Sequence, residues 1–155
     1  MKYYLAPLEG ITTYIYRRNY EQFYGGIDRY FAPFVSNKRL SRKELADLIP
    51  EHNEGVTLIP QVLTNRVEEF LSVTEELRSF GYDTVNLNLG CPSGTVVPKN
   101  RGAGFLRVPD DLDVFLSEIF EKCPMKISVK TRIGLTSLEE WPRLLEIYNK
   151  YPLAE

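Results

Sequence analysis

The stretch Val85-Asn86-Leu87-Asn88-Leu89-Gly90-Cys91-Pro92 decides how this sequence is read. Apolar residues alternate with asparagines, the two-residue period of a β-strand, and Pro92 ends the run. The thiol of Cys91 follows directly on the strand. There it faces a cavity at the rim of a sheet rather than an apolar layer. A free cysteine has a pKa of about 8.5, so at neutral pH such a thiol can serve as a general acid as well as a nucleophile. A cysteine taken at random is a small buried filler. That reading suits Cys123, which stands before Pro124 at a helix end, and the Asn-x-Gly-Cys-Pro setting argues against it for Cys91.

Outward from this strand, four more runs rich in β-branched and aromatic residues read as strands: residues 3–8, 29–35, 57–63 and 126–133, with 84–89 in the middle. Helical spacing fills the gaps. Leu112, Phe115, Leu116, Ile119 and Phe120 form one apolar stripe, and Val67, Phe70, Leu71, Leu77 and Phe80 form another that Gly81 is placed to stop. Ser41 with Glu44, and Ser137 with Glu140, read as capping boxes. A further helix is expected after Thr12-Thr13, burying some of Tyr14, Ile15, Tyr20 and Phe23. Strands alternating with helices predict an α/β fold with parallel strands. The strand ends carry unusual chemistry, as at Ala6-Pro7-Leu8-Glu9-Gly10, Gln61 and Lys130-Thr131-Arg132. That pattern favours a TIM (β/α)8 barrel, here roughly its first five β/α units, because such barrels build their sites at this rim. No GxGxxG follows the first strand, which weakens the dinucleotide-binding doubly wound alternative.

The 155 residues suit one modest domain. With 43% hydrophobic and 26% charged residues the chain has an ordinary globular composition, which argues against disorder and fibrous repeats. No apolar run approaches the roughly 20 residues of a membrane-spanning helix. Two cysteines make no disulfide framework, so a cytoplasmic home is the default, and without CxxC or paired histidines no metal is expected. A net charge of −2 does not advertise nucleic-acid binding. Such a partner would meet a local patch drawn from Arg17, Arg18, Lys38, Arg39, Arg42, Lys43, Lys99 and Arg101.

Strand alternation turns Ser128, Lys130 and Arg132 to one face. Two inward cations need an anionic partner, such as a flavin or a phosphate. Gln61 and Asn88 at strand ends can both donate and accept, which suits a heterocycle edge as well as simple loop capping. The loop Pro98-Lys99-Asn100-Arg101-Gly102-Ala103-Gly104 can wrap an anion through backbone N–H groups, though a plain flexible loop fits the pattern better. His52, the only histidine, lies in a polar stretch expected to be a solvated turn.

These motifs resemble the tRNA-dihydrouridine synthases. The resemblance rests on Ala6-Pro7-Leu8-Glu9-Gly10-Ile11-Thr12, Gln61-Val62-Leu63-Thr64-Asn65, Asn86 through Val96, Lys99 through Leu106 and Val129-Lys130-Thr131-Arg132, in that order. The family implies a TIM barrel that binds FMN, with NADPH as reductant and tRNA uridine as substrate. By the same resemblance Cys91 is the proton donor to C5 of the uracil, while hydride reaches C6 from reduced FMN. Pro7, Leu8, Glu9, Gln61 and Lys130 match flavin contacts. Asn88 and Arg132 match residues near the base and flavin, and Lys99 a loop residue near the tRNA. Leu8 departs from the family's usual Met and Thr13 from its usual Asp. Family members run to about twice this length. The chain is therefore expected to be the amino-terminal part of the barrel, residues 1–155, without the later strands, the flavin's phosphate loops or the helical tRNA-binding domain, and monomeric when full length. Two alternatives stand beside this: another FMN barrel oxidoreductase such as a dihydroorotate dehydrogenase, against which the cations Lys99, Arg101, Lys130 and Arg132 argue for a polyanionic substrate, and an inactive RNA-binding fragment.

Overall fold

A computed structural model describes residues 1–155. Its elements alternate as the sequence predicts: β1 (Tyr4–Leu5), α1 (Tyr14–Phe23), β2 (Arg29–Phe31), α2 (Arg42–Leu48), β3 (Leu58–Ile59), β4 (Gln61–Val62), α3 (Val67–Ser79), β5 (Thr84–Leu89), α4 (Pro109–Lys122), β6 (Lys126–Thr131) and α5 (Trp141–Tyr148). Every strand pair is parallel, in the orders β1-β2-β3 and β4-β5-β6. Strands thus add to one edge in chain order, with no reversal of the kind that marks a doubly wound sheet. The fold is α/β, and the sheets do not close into a barrel.

The third expected strand, 57–63, is split in two by Pro60, which has no N–H for a ladder. Leu58 and Ile59 pair with β2, whereas Gln61 and Val62 pair with β5. The Pro60 carbonyl still accepts from the Asn86 N–H at 2.9 Å. One bridge, Val35 to Val62, joins the two sheets.

Leu77, Leu87, Leu116 and Ile127 are at most 1% exposed and belong to a core of 23 residues between the sheets and helices α3 to α5. The stripes on α3 and α4 face this core as expected. Helix α3 ends in a Schellman motif: Gly81, at φ +92°, donates to the Arg78 carbonyl, and Tyr82 donates to that of Leu77. Both capping boxes form. At the second, the Glu140 carboxylate accepts from the N–H groups of Leu135, Thr136 and Ser137 and from the Thr136 hydroxyl. Those donors hold its carboxyl down to a pKa of about 2. Residues 154 and 155 lie along the free edge of β6, and the Glu155 carboxylate accepts from the Tyr4 hydroxyl and pairs with Arg29.

Helix α1 meets its expectation only in part. Ile15 and Phe23 are exposed, Tyr14 and Tyr20 are half-buried, and the one buried residue is Arg17. Its guanidinium donates to the Thr12 carbonyl, the Asp47 carboxylate and carbonyl, and the Asn53 side chain. A buried cation is tolerated because almost every proton finds an acceptor. Arg17 therefore leaves the list of surface cations.

Candidate functional site

The site residues gather at the carboxyl ends of β4, β5 and β6. In a parallel ladder, residues directly opposite share a face. Gln61 stands opposite Asn86, Asn86 opposite Ser128, and Asn88 opposite Lys130. The alternation that buries Val85, Leu87 and Leu89 on one side turns Asn86 and Asn88 to the other. Gln61 is 0% exposed and Asn88 7%. Polar groups so deeply buried need partners, and they find one another. Gln61 Nε2 donates to Asn86 Oδ1 at 2.7 Å, and Asn88 Nδ2 donates to Gln61 Oε1 at 2.8 Å. Asn88 Oδ1 then accepts from the N–H groups of Gly90 and Cys91, at 3.0 and 2.9 Å.

Cys91 is half-buried on the turn that follows β5. Several groups hold that turn. Its own carbonyl accepts from the Ala103 N–H, and Arg132 Nε donates to the Gly90 carbonyl at 3.1 Å. Gly102, at φ +54°, packs so closely that a Cβ there would lie 2.8 Å from the Cys91 carbonyl oxygen. The glycine-rich segment is thus no flexible loop. Residues Gly102–Arg107 form a 3₁₀ turn, with 102–106 buried. Arg101 braces it from outside, reaching Glu69, Asn65 and the Ser36 carbonyl. Its guanidinium belongs to this scaffold rather than to a free cationic surface, and it leaves the candidate patch with Arg17.

Lys130 is exposed and, unlike Lys122, Lys126 and Lys150, is not paired with a carboxylate. It lines an open cavity of about 220 Å³ with Tyr4, Ala6, Phe31, Asn86, Val129 and Glu155. Pro7, Leu8 and Glu9 stand apart from Cys91 on the turn after β1. The Thr12 hydroxyl winds that turn by accepting from the Leu8 N–H and donating to the Leu8 carbonyl. Pro7 is half-buried, Leu8 and Glu9 exposed. Glu9 borders a larger cavity, about 280 Å³, closed on its far side by α2 and bounded by Tyr14, Phe34, Lys43 and Asp47; it does not reach Cys91. Lys99 is exposed, and its carbonyl accepts from Asn65. The structure therefore brings Gln61, Asn88, Cys91, Lys130 and Arg132 together. Pro7 through Glu9 and Lys99 lie on neighbouring rim segments. Neither Asn86 nor Ser128 is among the expected site residues, though two asparagines on one face of a buried strand already call for such partners.

No group of three or more His, Cys, Asp or Glu side chains is arranged to hold a metal ion. His52 is not simply solvated. Its ring stacks on Tyr14 at 4.4 Å, and Nδ1 lies against the Ala46 carbonyl. No helix is long and apolar enough to cross a membrane.

The sequence profile of the family described as Dihydrouridine synthase (Dus) matches residues 4–150. A "Probable tRNA-dihydrouridine synthase" of Staphylococcus aureus (strain COL) is 24% identical over 144 residues, covering 88% of this chain and 42% of its own. One of the same name from Staphylococcus epidermidis (strain ATCC 12228 / FDA PCI 1200) is 24% identical, covering 88% and 43%. "Probable tRNA-dihydrouridine synthase 2" of Bacillus subtilis (strain 168) is 23% identical over 154 residues, covering 97% and 47%. The chain spans less than half the length of these relatives.

Proposed function

The chain belongs to the dihydrouridine synthase family, and from that premise we propose that it supplies the Cys91-bearing wall of an FMN-dependent enzyme that reduces uridine to 5,6-dihydrouridine in tRNA. The observation that carries this reading is the placement of Cys91 on a braced turn at the head of β5, beside the unpaired cation Lys130 on β6. Sequential parallel strands support the first five β/α units of a TIM barrel, whose sites lie at this rim.

The residues fit a flavin. The Lys130 ammonium, the small Ala6, the Tyr4 and Phe31 rings and the Asn86 amide line the cavity, with the Glu155 carboxylate at its border; the flat apolar surfaces and the cation suit a planar heterocycle that gains negative charge on reduction. The cavity is smaller than the roughly 300–1,000 Å³ of a complete ligand site, so this wall forms part of one. Lys130 would neutralise the reduced ring, and Pro7, Leu8 and Glu9 would border it from the turn after β1. When bound, reduced FMN supplies the hydride that reaches C6 of the uracil, and NADPH restores it. Cys91 then gives its proton to C5, acting as general acid. Asn88 and Arg132 hold the turn that aims the thiol, and Lys99 faces the tRNA backbone. The uridine must leave its stack to reach Cys91. A tRNA substrate implies a cytoplasmic place of action.

The test is direct. The protein that carries this chain is expected to bind FMN and, with NADPH, to form dihydrouridine in unmodified tRNA. Cys91→Ala keeps the flavin and stalls the reduction. Loss of flavin binding in Cys91→Ala, unaltered turnover, or activity on free dihydroorotate with none on tRNA overturns the proposal.

A further inference from the structure

The amide pairs around Gln61 belong to a longer chain of hydrogen bonds that runs from β6 across the sheet to the Cys91 turn. Its side chains are Ser128, Asn86, Gln61 and Asn88, none more than 7% exposed. An amide group can turn over and exchange its oxygen for its nitrogen, so an isolated amide pair has two nearly equivalent arrangements. This chain has one, because the backbone fixes both ends. At the β6 end the Ser128 hydroxyl gives its proton to the Val85 carbonyl at 3.4 Å. Its oxygen must then accept, and Asn86 Nδ2 donates to it at 2.9 Å. Asn86 is left with Oδ1 for Gln61, Gln61 with Oε1 for Asn88, and Asn88 with Oδ1 for the turn. At the turn, the Gly90 and Cys91 N–H groups can only donate, and they require that same oxygen. The two constraints agree along the whole chain.

We propose that Asn86 and Ser128 are positioning residues for Cys91: they anchor the far end of the chain on β6 and, through Gln61, hold still the Asn88 amide that braces the Cys91 turn. Neither residue touches the turn itself. The Gly90 and Cys91 N–H groups set which way Asn88 faces, and Gln61, Asn86 and Ser128 give each amide behind it a matching partner, so that Asn88 is held from the far side as well. The proposal takes its importance from the reading of Cys91 as the proton donor. Its test reads the turn and not tRNA reduction, so each can fail without the other.

The readout is the rate at which iodoacetamide alkylates Cys91, mapped by peptide mass against Cys123 in the same molecules. Cys123 packs against the core at the end of α4 and reports any general loosening. Ser128→Ala removes the hydroxyl that anchors the far end and leaves Asn86 Nδ2 without its acceptor. Cys91 alkylation is expected to rise roughly five- to tenfold, the equivalent of one net hydrogen bond, with Cys123 unchanged. Ser128→Thr returns the hydroxyl and the wild-type rate. Should Ser128→Ala fail to fold, Asn86→Leu carries the test. It leaves Gln61 Nε2 without its acceptor, so Cys91 alkylation is expected to rise with Cys123 unchanged. A wild-type Cys91 rate in Ser128→Ala or in Asn86→Leu, a parallel rise at both cysteines, or no recovery in Ser128→Thr overturns the proposal.

Discussion

In the β1–β3 half of the molecule the turn at Leu8–Thr12 hangs from a buried guanidinium, whereas in the β4–β6 half the turn at Gly90–Cys91 hangs from three neutral amides. Both devices solve one problem: a strand-end turn must be held still by groups that lie behind it. The charged device gathers its partners onto one side chain, since Arg17 holds Thr12, Asp47 and Asn53, whereas the neutral one reaches further along the chain, from Gln61 through Asn86 to Ser128. Burial lowers the pKa of its guanidinium, and Nε finds no partner. The neutral device bears no such desolvation cost, and every step in it has a donor facing an acceptor. The charged half thus depends on one side chain, and the amide half spreads its dependence over four.

The largest effect is expected from Arg17→Ala. It leaves Asp47 without its cation and is expected to lose about 3–5 kcal/mol, read by urea unfolding. The paired change Arg17→Met with Asp47→Leu is expected to recover most of that loss, because the unpaired charge goes as well. Asn86→Leu comes next, at about 1–3 kcal/mol for the groups it strands. A loss in Asn86→Leu equal to that in Arg17→Ala would break the comparison. The alkaline limb is smaller. Burial pushes the Tyr82 and Tyr148 phenols up to about 12. Tyr82 donates to the Leu48 carbonyl in the first half, and Tyr148 lies 2.9 Å from the Thr131 hydroxyl in the second. A raised phenol stabilises fully below its unfolded pKa near 10, so stability is expected to hold to that point and fall as pH rises toward about 12. Tyr82→Phe and Tyr148→Phe should each remove part of the fall. The smallest effect lies at Glu140. Its lowered pKa means that the carboxylate's contribution is whole above the ordinary carboxylate range and is lost as pH falls toward about 2. Exchange protection of the Leu135, Thr136 and Ser137 amides is expected to follow that window and to vanish at all pH values in Glu140→Ala.

The difference between the halves also decides what the sequence can reveal. The amide half is legible because a two-residue period by itself places Asn86 with Asn88, and Ser128 with Lys130, on one face of their strands. Lys130 follows from the same alternation, while Cys91 is read from its place directly after the strand and Gln61 from its place at a strand end. The order of the ladder is not legible, since it depends on register between strands, and register is a tertiary property. In the charged half nothing local marks Arg17. Its partners lie 30 and 36 residues away, and a charge on a helix with apolar neighbours reads as a solvated face. For that reason the expectation that α1 buries some of Tyr14, Ile15, Tyr20 and Phe23 is met only by the half-buried Tyr14 and Tyr20. The split of the third strand is legible afterwards in Pro60, a residue that a central strand does not easily hold. The turn Gly102–Arg107 escapes a sequence reading because its glycines serve close packing against Cys91 and Val97 rather than flexibility.

Pro60 has a consequence for how the molecule opens. A strand that changes neighbours at a residue without an amide proton leaves a seam, crossed in the sheet by the Val35–Val62 bridge and outside it by side chains: Arg101 on the Ser36 carbonyl, Tyr82 on that of Leu48, Glu76 on the Leu40 N–H, and Glu155 with Tyr4 and Arg29. Native proteins exchange their amide protons through contiguous cooperative units, and units part where few bonds cross. The β1–β3 side has strands of two and three residues, while β5 and β6 pair over six. The first side is therefore expected to be the unit of lower protection, its amides exchanging before those of the ladder beneath Cys91 in a hydrogen-exchange experiment.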